Sequence, residues 1–480
     1  MNIQIRQMKN NVTSLIQYRV VNVRYEMKKF MLCIVLVAML LESFGAVVER
    51  MVVRQQWPWF DDVKIEYLLT GVDSPVDVEL SAESGEKRLN LSDNHIRGKC
   101  RLIDKDGIYT LTINARDIAE NNPGVSLKNV KFGLSAVPAT ERSKEVIYKI
   151  FDLQNRSVTD VTRGDLLNGD YGSVETDYSK IGEGYSTPLS DVLIWTGVTN
   201  YPGAKTTKLV MRKIPAGAFE YPKRGDWNNT VKYTISVSKP FYIGVFELTQ
   251  RQYGYFSAGV SASHYDPDEL ACNVGDAKPV QNITTLYGIY GGDRSWDAST
   301  GAMKTLKELF SAAGTYCFDL PTQAMWYRAM RAESTTYYYD GIDSVPDDFD
   351  KGDRIAALGR FAGTGGIDAA DDGSAITNGT VEVGLYRPNA FGLYDMIGNV
   401  LECTRDYGYH FSSDSTDPIS STSADSKAFG LFGNSWDRDA CLWPQKENSA
   451  NIHGATSKRP YIGVRLSFFE GDHPNKPSGE

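Results

Sequence analysis

The chain is poor in the residues that build metalloenzyme centres and nucleic-acid surfaces. Its 480 residues include only 5 histidines and 6 cysteines. The histidines are His95, His264, His410, His453 and His473. No two of them stand at metal-ligand spacing and the cysteine spacing fits no zinc motif, which argues against a histidine-rich metal centre. The formal net charge is −9 with no basic patch among aromatics, which argues against sequence-independent nucleic-acid binding.

Other signatures of common enzyme classes are also absent. The sequence has no Ser, His and Asp in a triad order, no phosphate-cradling glycine loop and no carboxylate pair of catalytic type. What it does have is 41% hydrophobic residues and 43 glycines, which fits a globular, loop-rich protein. Its length allows two or three domains.

A short apolar run near the start predicts an exported protein. MKK (27–29) is followed by FMLCIVLVAMLLESFGA, a basic start, about 12 apolar residues and small residues before position 47. We predict a signal peptide over residues 27–46, and a periplasmic or extracellular mature chain without a transmembrane span, because a span needs about 20 residues. An uncleaved anchor and a buried helix are the alternatives. Translation could start at Met1 or at Met27.

Five cysteines would remain in the mature chain. They are Cys100, Cys272, Cys317, Cys403 and Cys441. An odd number outside the cytosol leaves at least one thiol outside any disulfide. Their pairing stays open.

The region after the predicted signal peptide is rich in strand patterns. VKIEYLL, VDVELSAES and GIYTLTINA alternate apolar with polar residues between turn-forming residues. This predicts an all-β module of immunoglobulin-like sandwich type over residues 47–138. Residues 139–208, with VIYKIFDL (146–153) and DVLIWTGV (191–198) as strands, are predicted to be a bridging β segment. Its partner sheet is not evident from the sequence.

Residues 209–470 mix strands with a few short helices, so the chain as a whole is expected to be α+β. ELTQRQYGYFSAG has apolar residues at helical spacing with Thr249 as its N-cap. AMKTLKELFSAAG (302–314) predicts a second helix, ending at Gly314. LPTQAMWYRAMRAE (320–333) predicts a third, with Thr322 as cap and Trp326 in its buried face.

The stretch RPNAFGLYDMIGNVLECTRDYG (387–408) is the organising element of this region, and we call it the signature segment. Its glycines and asparagines interrupt an apolar, aromatic run that has neither helical nor strand period. This predicts an irregular, buried backbone with positive φ angles. Buried carbonyls need partners, and Asp395 with Glu402 could hold a cation that serves them.

The signature segment and five further motifs resemble, in order, the formylglycine-generating enzyme or sulfatase-modifying factor family. The other motifs are LVMRKIPAGAF (209–219), FYIGVFELTQRQYGYF (241–256), PVQNI (279–283), FDLPTQAMWYRAMR (318–331) and YIGVRL (461–466). The resemblance covers about the last half of the chain. It implies an atypical C-type-lectin-like fold and an oxygen-dependent oxidase that converts a sulfatase cysteine to formylglycine.

The resemblance also implies a structural calcium ion. Matching the motif places its ligands at Asp395, Gly398, Val400 and Glu402, with Asp where the family often has Asn. The alternative is that Asp395 caps a turn while Glu402 pairs with Arg405 or Arg465.

The catalytic centre of the family is incomplete here. Active members carry two cysteines after a Gly-Gly-Ser-Trp turn, and these bind Cu(I) as thiolates. This chain has GNSW (433–436) and then Cys441 alone, with Arg438 at the place of the earlier cysteine. Cys441 is therefore half of a catalytic pair, or a packed or disulfide-bonded cysteine. A bridge from Cys403 or Cys272 to Cys441 stays open.

Two functions follow. The first is an exported, catalytically degenerate member of the family, a pseudoenzyme that binds a peptide or a carbohydrate through the family's substrate groove. The second is an active copper-dependent oxidase whose substrate is a sulfatase cysteine. The incomplete cysteine pair favours the first.

Overall fold

The protein is described here by a computed structural model. It describes residues 45–55, 61–175, 193–222, 231–266, 271–296, 300–336, 338–339, 357–362, 379–406, 411–419, 428–437, 453–454, 456–471 and 473. The predicted signal peptide (27–46) lies almost wholly outside these residues, as does Cys441. The chain divides into two compact units, Met1–Ser143 and Lys144–Glu480. Among the described helices, none is long and apolar enough to cross a bilayer.

The first unit contains two antiparallel sheets. Its strands are β1 (Val47–Gln55), β2 (Asp62–Thr70), β3 (Val76–Ser84), β4 (Lys87–Arg88), β5 (Arg97–Gly98), β6 (Gly107–Asn114) and β7 (Lys131–Pro138). They pair in the orders β1-β2-β6-β5 and β4-β3-β7. A 3-10 helix covers Asp93–His95, and helix α1 (Ala115–Glu120) follows β6.

Alternation of side chains explains these strands. In β2, Val63, Ile65, Tyr67 and Leu69 are buried, while the residues between them are more exposed. The three strands predicted from VKIEYLL, VDVELSAES and GIYTLTINA are confirmed as β2, β3 and β6. The immunoglobulin-like type of the module stays a prediction.

The second unit is built on a six-stranded antiparallel sheet. Its strands are β8 (Val146–Asp152), β9 (Ser157–Thr162), β10 (Lys208–Ile214), β13 (Phe241–Gly244), β14 (Tyr316–Asp319) and β21 (Ser467–Glu470). They lie in the order β14-β21-β13-β10-β8-β9. The partner sheet of the segment 139–208 is thereby identified, because β8 pairs with β10.

Smaller sheets and short helices complete the second unit. The other strands are β11 (Gly217–Pro222), β12 (Lys232–Val237), β15 (Leu401–Cys403), β16 (Ser415–Thr416), β17 (Ala428–Phe429), β18 (Leu431–Phe432), β19 (His453–Gly454) and β20 (Ile462–Val464). They pair as β11-β12-β16, β18-β15-β20 and β17-β19. The α-helices are α2 (Glu141–Lys144, at the junction of the units), α3 (Arg163–Asn168), α4 (Gln250–Gly254), α5 (Gly301–Leu309) and α6 (Gln323–Arg331). A 3-10 turn covers Ala271–Asn273, and a π-helix covers Thr285–Ile289.

Two of the helix predictions are confirmed in their capping residues. Thr249 caps α4 with a reciprocal capping box to Gln252. The Thr322 side chain accepts the Met325 N–H at the start of α6. Helix α5 ends at Leu309 rather than continuing to Gly314.

One strand prediction was wrong. Of DVLIWTGV (191–198), Ile194 makes only an isolated bridge with Glu175, and residues from Thr196 form a 3-10 helix over Thr196–Asn200. Here Gly197 N donates to the Ser173 carbonyl at 2.8 Å, and a Cβ on Gly197 would stand only 2.7 Å from Ser173 N.

Candidate functional site

The signature segment has the irregular, buried backbone that the sequence predicts. Asp395, Gly398 and Asn399 all have positive φ, and the segment's apolar side chains are buried. A Cβ on Gly398 would stand 2.7 Å from the Arg360 carbonyl oxygen, so that position requires glycine. Turns whose residues have a left-handed backbone conformation therefore fix the positions of the segment's side chains.

Asn389 fastens the segment to helix α6. Its Oδ1 accepts the N–H groups of Phe391 and Leu393 at 3.0 and 3.1 Å. Its Nδ2 donates to the carbonyls of Ala329 and Met330 at the end of the helix. One side chain thus forms the turn and satisfies two orphan helix carbonyls.

Glu402 and Arg465 form a fully buried ion pair. Arg465 is 0% and Glu402 is 1% exposed, and Arg465 Nη2 lies 2.7 Å from Glu402 Oε1. Arg465 Nε also donates to both carboxylate oxygens, and Trp326 Nε1 donates to Oε2 at 2.7 Å. Of the two predicted alternatives for Glu402, the pair with Arg465 is the one present.

The other N–H groups of the Arg465 guanidinium donate hydrogen bonds to backbone carbonyls. Nη1 donates to Gly244 and Val245, at 3.0 and 3.1 Å, and Nη2 donates to Tyr394 at 2.8 Å. All the donor nitrogens are therefore used, as a buried guanidinium requires. The arginine joins the signature segment to the strand β13 region.

Glu247 fixes the middle of the signature segment. Its Oε2 accepts Asn399 Nδ2 at 2.6 Å, and its Oε1 accepts Val400 N at 3.1 Å. Glu247 thus satisfies one side-chain and one backbone N–H group of the segment.

Asp395 stands beside these groups with half of its carboxylate unused. Its Oδ2 accepts Gly384 N at 2.6 Å, but its buried Oδ1 has no hydrogen-bond partner among the described residues. Burial raises the pKa of Asp395 to about 6. Burial, followed by repulsion from Asp395 and Glu402, raises the pKa of Glu247. The cluster has three carboxylates and one guanidinium, so it carries an excess of negative charge when ionised.

The predicted calcium ligands fit a cation unequally. Asp395 offers a buried, unused oxygen in a negatively charged cluster, which suits a hard cation. Both oxygens of Glu402, by contrast, are already occupied by Arg465 and Trp326. Gly398 and Val400 lie in the same turn, the latter held by its N–H to Glu247. Within the described ranges, no group of three or more His, Cys, Asp or Glu side chains could hold a metal.

The GNSW turn lies against the signature segment. Trp436 N donates to the Asn399 carbonyl at 2.9 Å, and Ser435 Oγ donates to Asp437 Oδ1 at 2.6 Å. Trp436 is 1% exposed and Trp326 is 0% exposed, so both are core residues, and the predicted burial of Trp326 is confirmed. The predicted catalytic residue Cys441 and the neighbouring Arg438 lie outside the described residues.

The other cysteines of this unit differ in their surroundings. Cys403 is 0% exposed, its Sγ lies 3.0 Å from Thr285 Oγ1, and burial raises its pKa to about 12. Burial also raises the pKa of Cys317. Cys272 is partly exposed, and none of these three is in a disulfide in the described part of the chain.

Asn273 is a site residue that the sequence did not indicate. Its Nδ2 donates to the Pro460 carbonyl at 3.2 Å, the same oxygen that accepts Trp436 Nε1. Its Oδ1 accepts Thr380 N at 2.8 Å. Pro460 is 187 residues away in the chain, and no local sequence pattern predicts a hydrogen bond between the two residues.

The second unit contains a domain of a known family. A profile of the sulfatase-modifying factor enzyme 1-like domain matches residues 200–467, more than half of the chain. The chain belongs to this family. The family resemblance drawn from the six motifs is thus confirmed.

Similar solved structures cover the same part of the chain. PvdO from Pseudomonas aeruginosa is 19% identical, with a TM-score of 0.39, and covers 54% of this chain and 94% of its own. Treponema denticola variable protein 1 is 19% identical, with a TM-score of 0.39, covering 54% and 95%. CarF is 20% identical, with a TM-score of 0.32, covering 54% and 97%. No curated protein matches the chain.

Proposed function

We propose that this protein is a catalytically degenerate member of the family, which binds a ligand and performs no oxidation. The observation that carries the proposal is the state of Cys403. It is the cysteine within the signature segment, yet it is fully buried and hydrogen-bonded to Thr285, and burial raises its pKa to about 12. A Cu(I) pair needs two thiolates, and a thiol of this kind stays protonated at neutral pH.

The scaffold around the missing pair supports a binding role. Glu402, Arg465, Glu247 and Asn399 hold the signature segment through buried bonds that need no copper. We propose that the groove that the family uses for substrate takes a peptide or a carbohydrate in this chain. We further propose an exported protein with an immunoglobulin-like module ahead of a C-type-lectin-like domain.

An aerobic assay tests the loss of catalysis. The full mature chain is incubated with copper and a peptide carrying Cys-x-Pro-x-Arg, and the peptide is examined by mass spectrometry. We expect no aldehyde product, because Cys441 alone cannot supply two thiolates. Circular dichroism confirms that the protein is folded, and an active family member serves as positive control. Aldehyde formed by the folded chain would contradict the proposal.

Cys272 supports a second candidate function, an active oxidase with a rearranged metal site. It is partly exposed and precedes Asn273, which shares the Pro460 carbonyl with Trp436 of the GNSW turn. With Cys441 it would supply two thiolates. Aldehyde formation that is lost in both Cys272→Ser and Cys441→Ser, but kept in the control Cys317→Ser, would establish this candidate in place of the first.

We also propose a structural calcium ion held through Asp395, with the Gly398 and Val400 carbonyls as the resemblance implies. Its support is the unused Asp395 Oδ1 in a cluster of excess negative charge. Glu402, the fourth predicted ligand, would join only by giving up bonds to Arg465. The ion would fix backbone and take no part in chemistry.

Thermal unfolding tests the calcium proposal. Replacing a chelator with millimolar calcium should raise Tm by about 2 °C, because a ligand that binds only the folded state stabilises it. Magnesium at equal concentration is the control, since it demands a stricter octahedral geometry. The calcium increment should vanish in Asp395→Ala. An unchanged Tm, or an equal increment in the variant, would count against the site.

A further inference from the structure

Two partly exposed cations lie on neighbouring segments of the second unit. Lys278 Nζ donates to the Cys272 carbonyl at 2.5 Å. Arg360 Nε donates to the Gly379 carbonyl at 3.3 Å. The side chains of Cys272, Lys278 and Arg360 are all partly exposed. We call the surface formed by Cys272, Lys278, Arg360 and Gly379 the cationic patch.

Close backbone contact brings the two segments of the cationic patch together. A Cβ on Gly379 would stand 2.8 Å from Cys272 Sγ and 2.0 Å from Asn273 Oδ1, so the approach requires glycine. The two charges are also near enough to act on each other. Burial lowers the pKa of Lys278, and repulsion from Arg360 lowers it further. Both cations therefore belong to one place on the surface.

The cationic patch adjoins the GNSW turn through Asn273. Asn273 and Thr380 directly follow the cysteine and the glycine of the patch. Asn273 Oδ1 accepts the Thr380 N–H at 2.8 Å, and its Nδ2 shares the Pro460 carbonyl with Trp436 Nε1. The patch therefore lies beside the turn after which active family members carry their catalytic cysteines.

Positive charge exceeds negative charge at the cationic patch. Lys278 forms no ion pair with a described residue, and only one of its three N–H groups is given to the Cys272 carbonyl. Among the described groups that act on Lys278, Arg360 is the cation and Glu382, which is exposed, is the one carboxylate. This local excess stands in a chain whose net charge is −9. An anionic ligand is complementary to it.

Exposed aliphatic side chains lie on the same two segments. Val274 is 44% exposed and Leu385 is 60% exposed. A hydrogen bond from Val383 N to the Ala277 carbonyl, at 3.0 Å, joins the segments between them. Cations beside exposed aliphatic groups suit a ligand that carries both carboxylates and aliphatic side chains. Peptides have this combination, whereas acidic sugar polymers have the carboxylates alone.

We propose that the ligand of the binding site is an acidic peptide, and that Lys278 and Arg360 bind one of its carboxylates. This inference rests on the proposed binding function and names the chemistry of the ligand. The ammonium supplies a point charge and the guanidinium supplies N–H groups in a fixed fork, which together hold a carboxylate. Val274 and Leu385 contact an aliphatic side chain next to the acidic one.

Thiol labelling measures the charge of the cationic patch without any ligand. The full mature chain reacts with methanethiosulfonates that carry either a sulfonate or a trimethylammonium group, and the Cys272 peptide is quantified by mass spectrometry. Each rate is divided by that of a free thiol. We expect the anionic reagent to be favoured about tenfold at low salt, because a positive potential concentrates anions, and less at high salt.

Two variants assign this preference to the cationic patch. Lys278→Gln should lose most of the preference for the anionic reagent, and Lys278→Arg, which keeps the charge, should retain it. Lys232→Gln is the matched control, since it removes an exposed cation that pairs with Glu220 elsewhere on the unit. Equal preferences in the wild type and Lys278→Gln would overturn the proposal.

Binding of defined probes tests the class of ligand. Fluorescence anisotropy compares a labelled peptide, Gly-Glu-Leu-Glu-Val-Gly, with its glutamine twin, Gly-Gln-Leu-Gln-Val-Gly, and oligogalacturonate serves as an acidic carbohydrate competitor. We expect only the acidic peptide to bind, with affinity reduced about tenfold in Lys278→Gln, since hydrogen bonds to charged groups are the stronger ones.

The possible failures are distinguishable. Displacement of the peptide by oligogalacturonate at equal carboxylate concentration would overturn the choice of a peptide, and no binding of the acidic peptide would overturn the inference as a whole. Neither result depends on oxidation. Aldehyde in the copper assay would instead contradict the proposed function, whatever the peptide does.

Discussion

Replacing Arg465 by methionine is expected to destabilise the second unit by about 3–5 kcal/mol, the range found when one partner of a buried ion pair is removed. Glu402 would be left charged at 1% exposure, with only the Trp326 N–H to stabilise it. The carbonyls of Gly244, Val245 and Tyr394 would lose the hydrogen bonds that Arg465 donates to them. Methionine fills similar space without replacing any of these bonds.

Urea unfolding followed by tryptophan fluorescence measures this loss, because Trp326 contacts Glu402 directly. Arg459→Met is the matched control: this arginine is exposed, and within the described residues its side chain bonds only the Lys458 carbonyl, so we expect a change within about 0.5 kcal/mol. The double variant Arg465→Met with Glu402→Leu should recover part of the loss, since it leaves no buried charge. A loss below about 1 kcal/mol in the single variant would show that the ion pair does not hold the site together.

Replacing Arg405 by methionine is expected to have an effect of similar size, again about 3–5 kcal/mol. Arg405 Nη1 pairs with buried Asp319, whose Oδ1 also accepts the Tyr290 hydroxyl and the Leu320 N–H. The arginine also lies over the Trp296 ring, with Cζ 3.5 Å from the centroid, so a cation–π contact is lost too.

The same urea titration measures the loss of unfolding free energy in Arg405→Met. Lys304→Met is its control, because Lys304 forms an exposed i,i+4 pair with Glu308 on α5, and such pairs contribute about 0.3–0.5 kcal/mol. The two arginines lie in separate networks, so the losses in Arg405→Met and Arg465→Met should add. A strong deviation from additivity would mean that the hydrogen-bond networks of Asp319 and Glu402 are energetically coupled through the core.

Local sequence patterns predicted the features that depend only on residues close together in the chain, such as helix caps and strands. Thr249 and Thr322 were predicted as helix caps because a hydroxyl before an apolar helical run accepts an orphan N–H, and both do so. Alternation in VKIEYLL predicted β2 because it matches the two-residue period of a strand. The positive φ angles of the signature segment followed from its glycines and asparagines.

Long-range contacts were beyond such patterns. Glu247 lies 152 residues from Asn399, and Arg465 lies 63 residues from Glu402. The sequence contains several arginines that could pair with Glu402. Only the fold decides that the partner is Arg465 and not Arg405. The 3-10 helix from Thr196 is a similar case, since Gly197 contacts Ser173, and no neighbour in sequence predicts that contact.

The position of β21 in the large sheet has a consequence for how the protein acquires its fold. This strand lies between β13 and β14, and Arg465 stands just ahead of it. During synthesis β13 and β14 emerge before β21, the strand that lies between them, and Glu402 has no ion-pair partner until Arg465 follows. Sheets completed by such distant segments fold slowly and expose edges prone to aggregation. The second unit therefore cannot complete its largest sheet until residues 465–470 have left the ribosome.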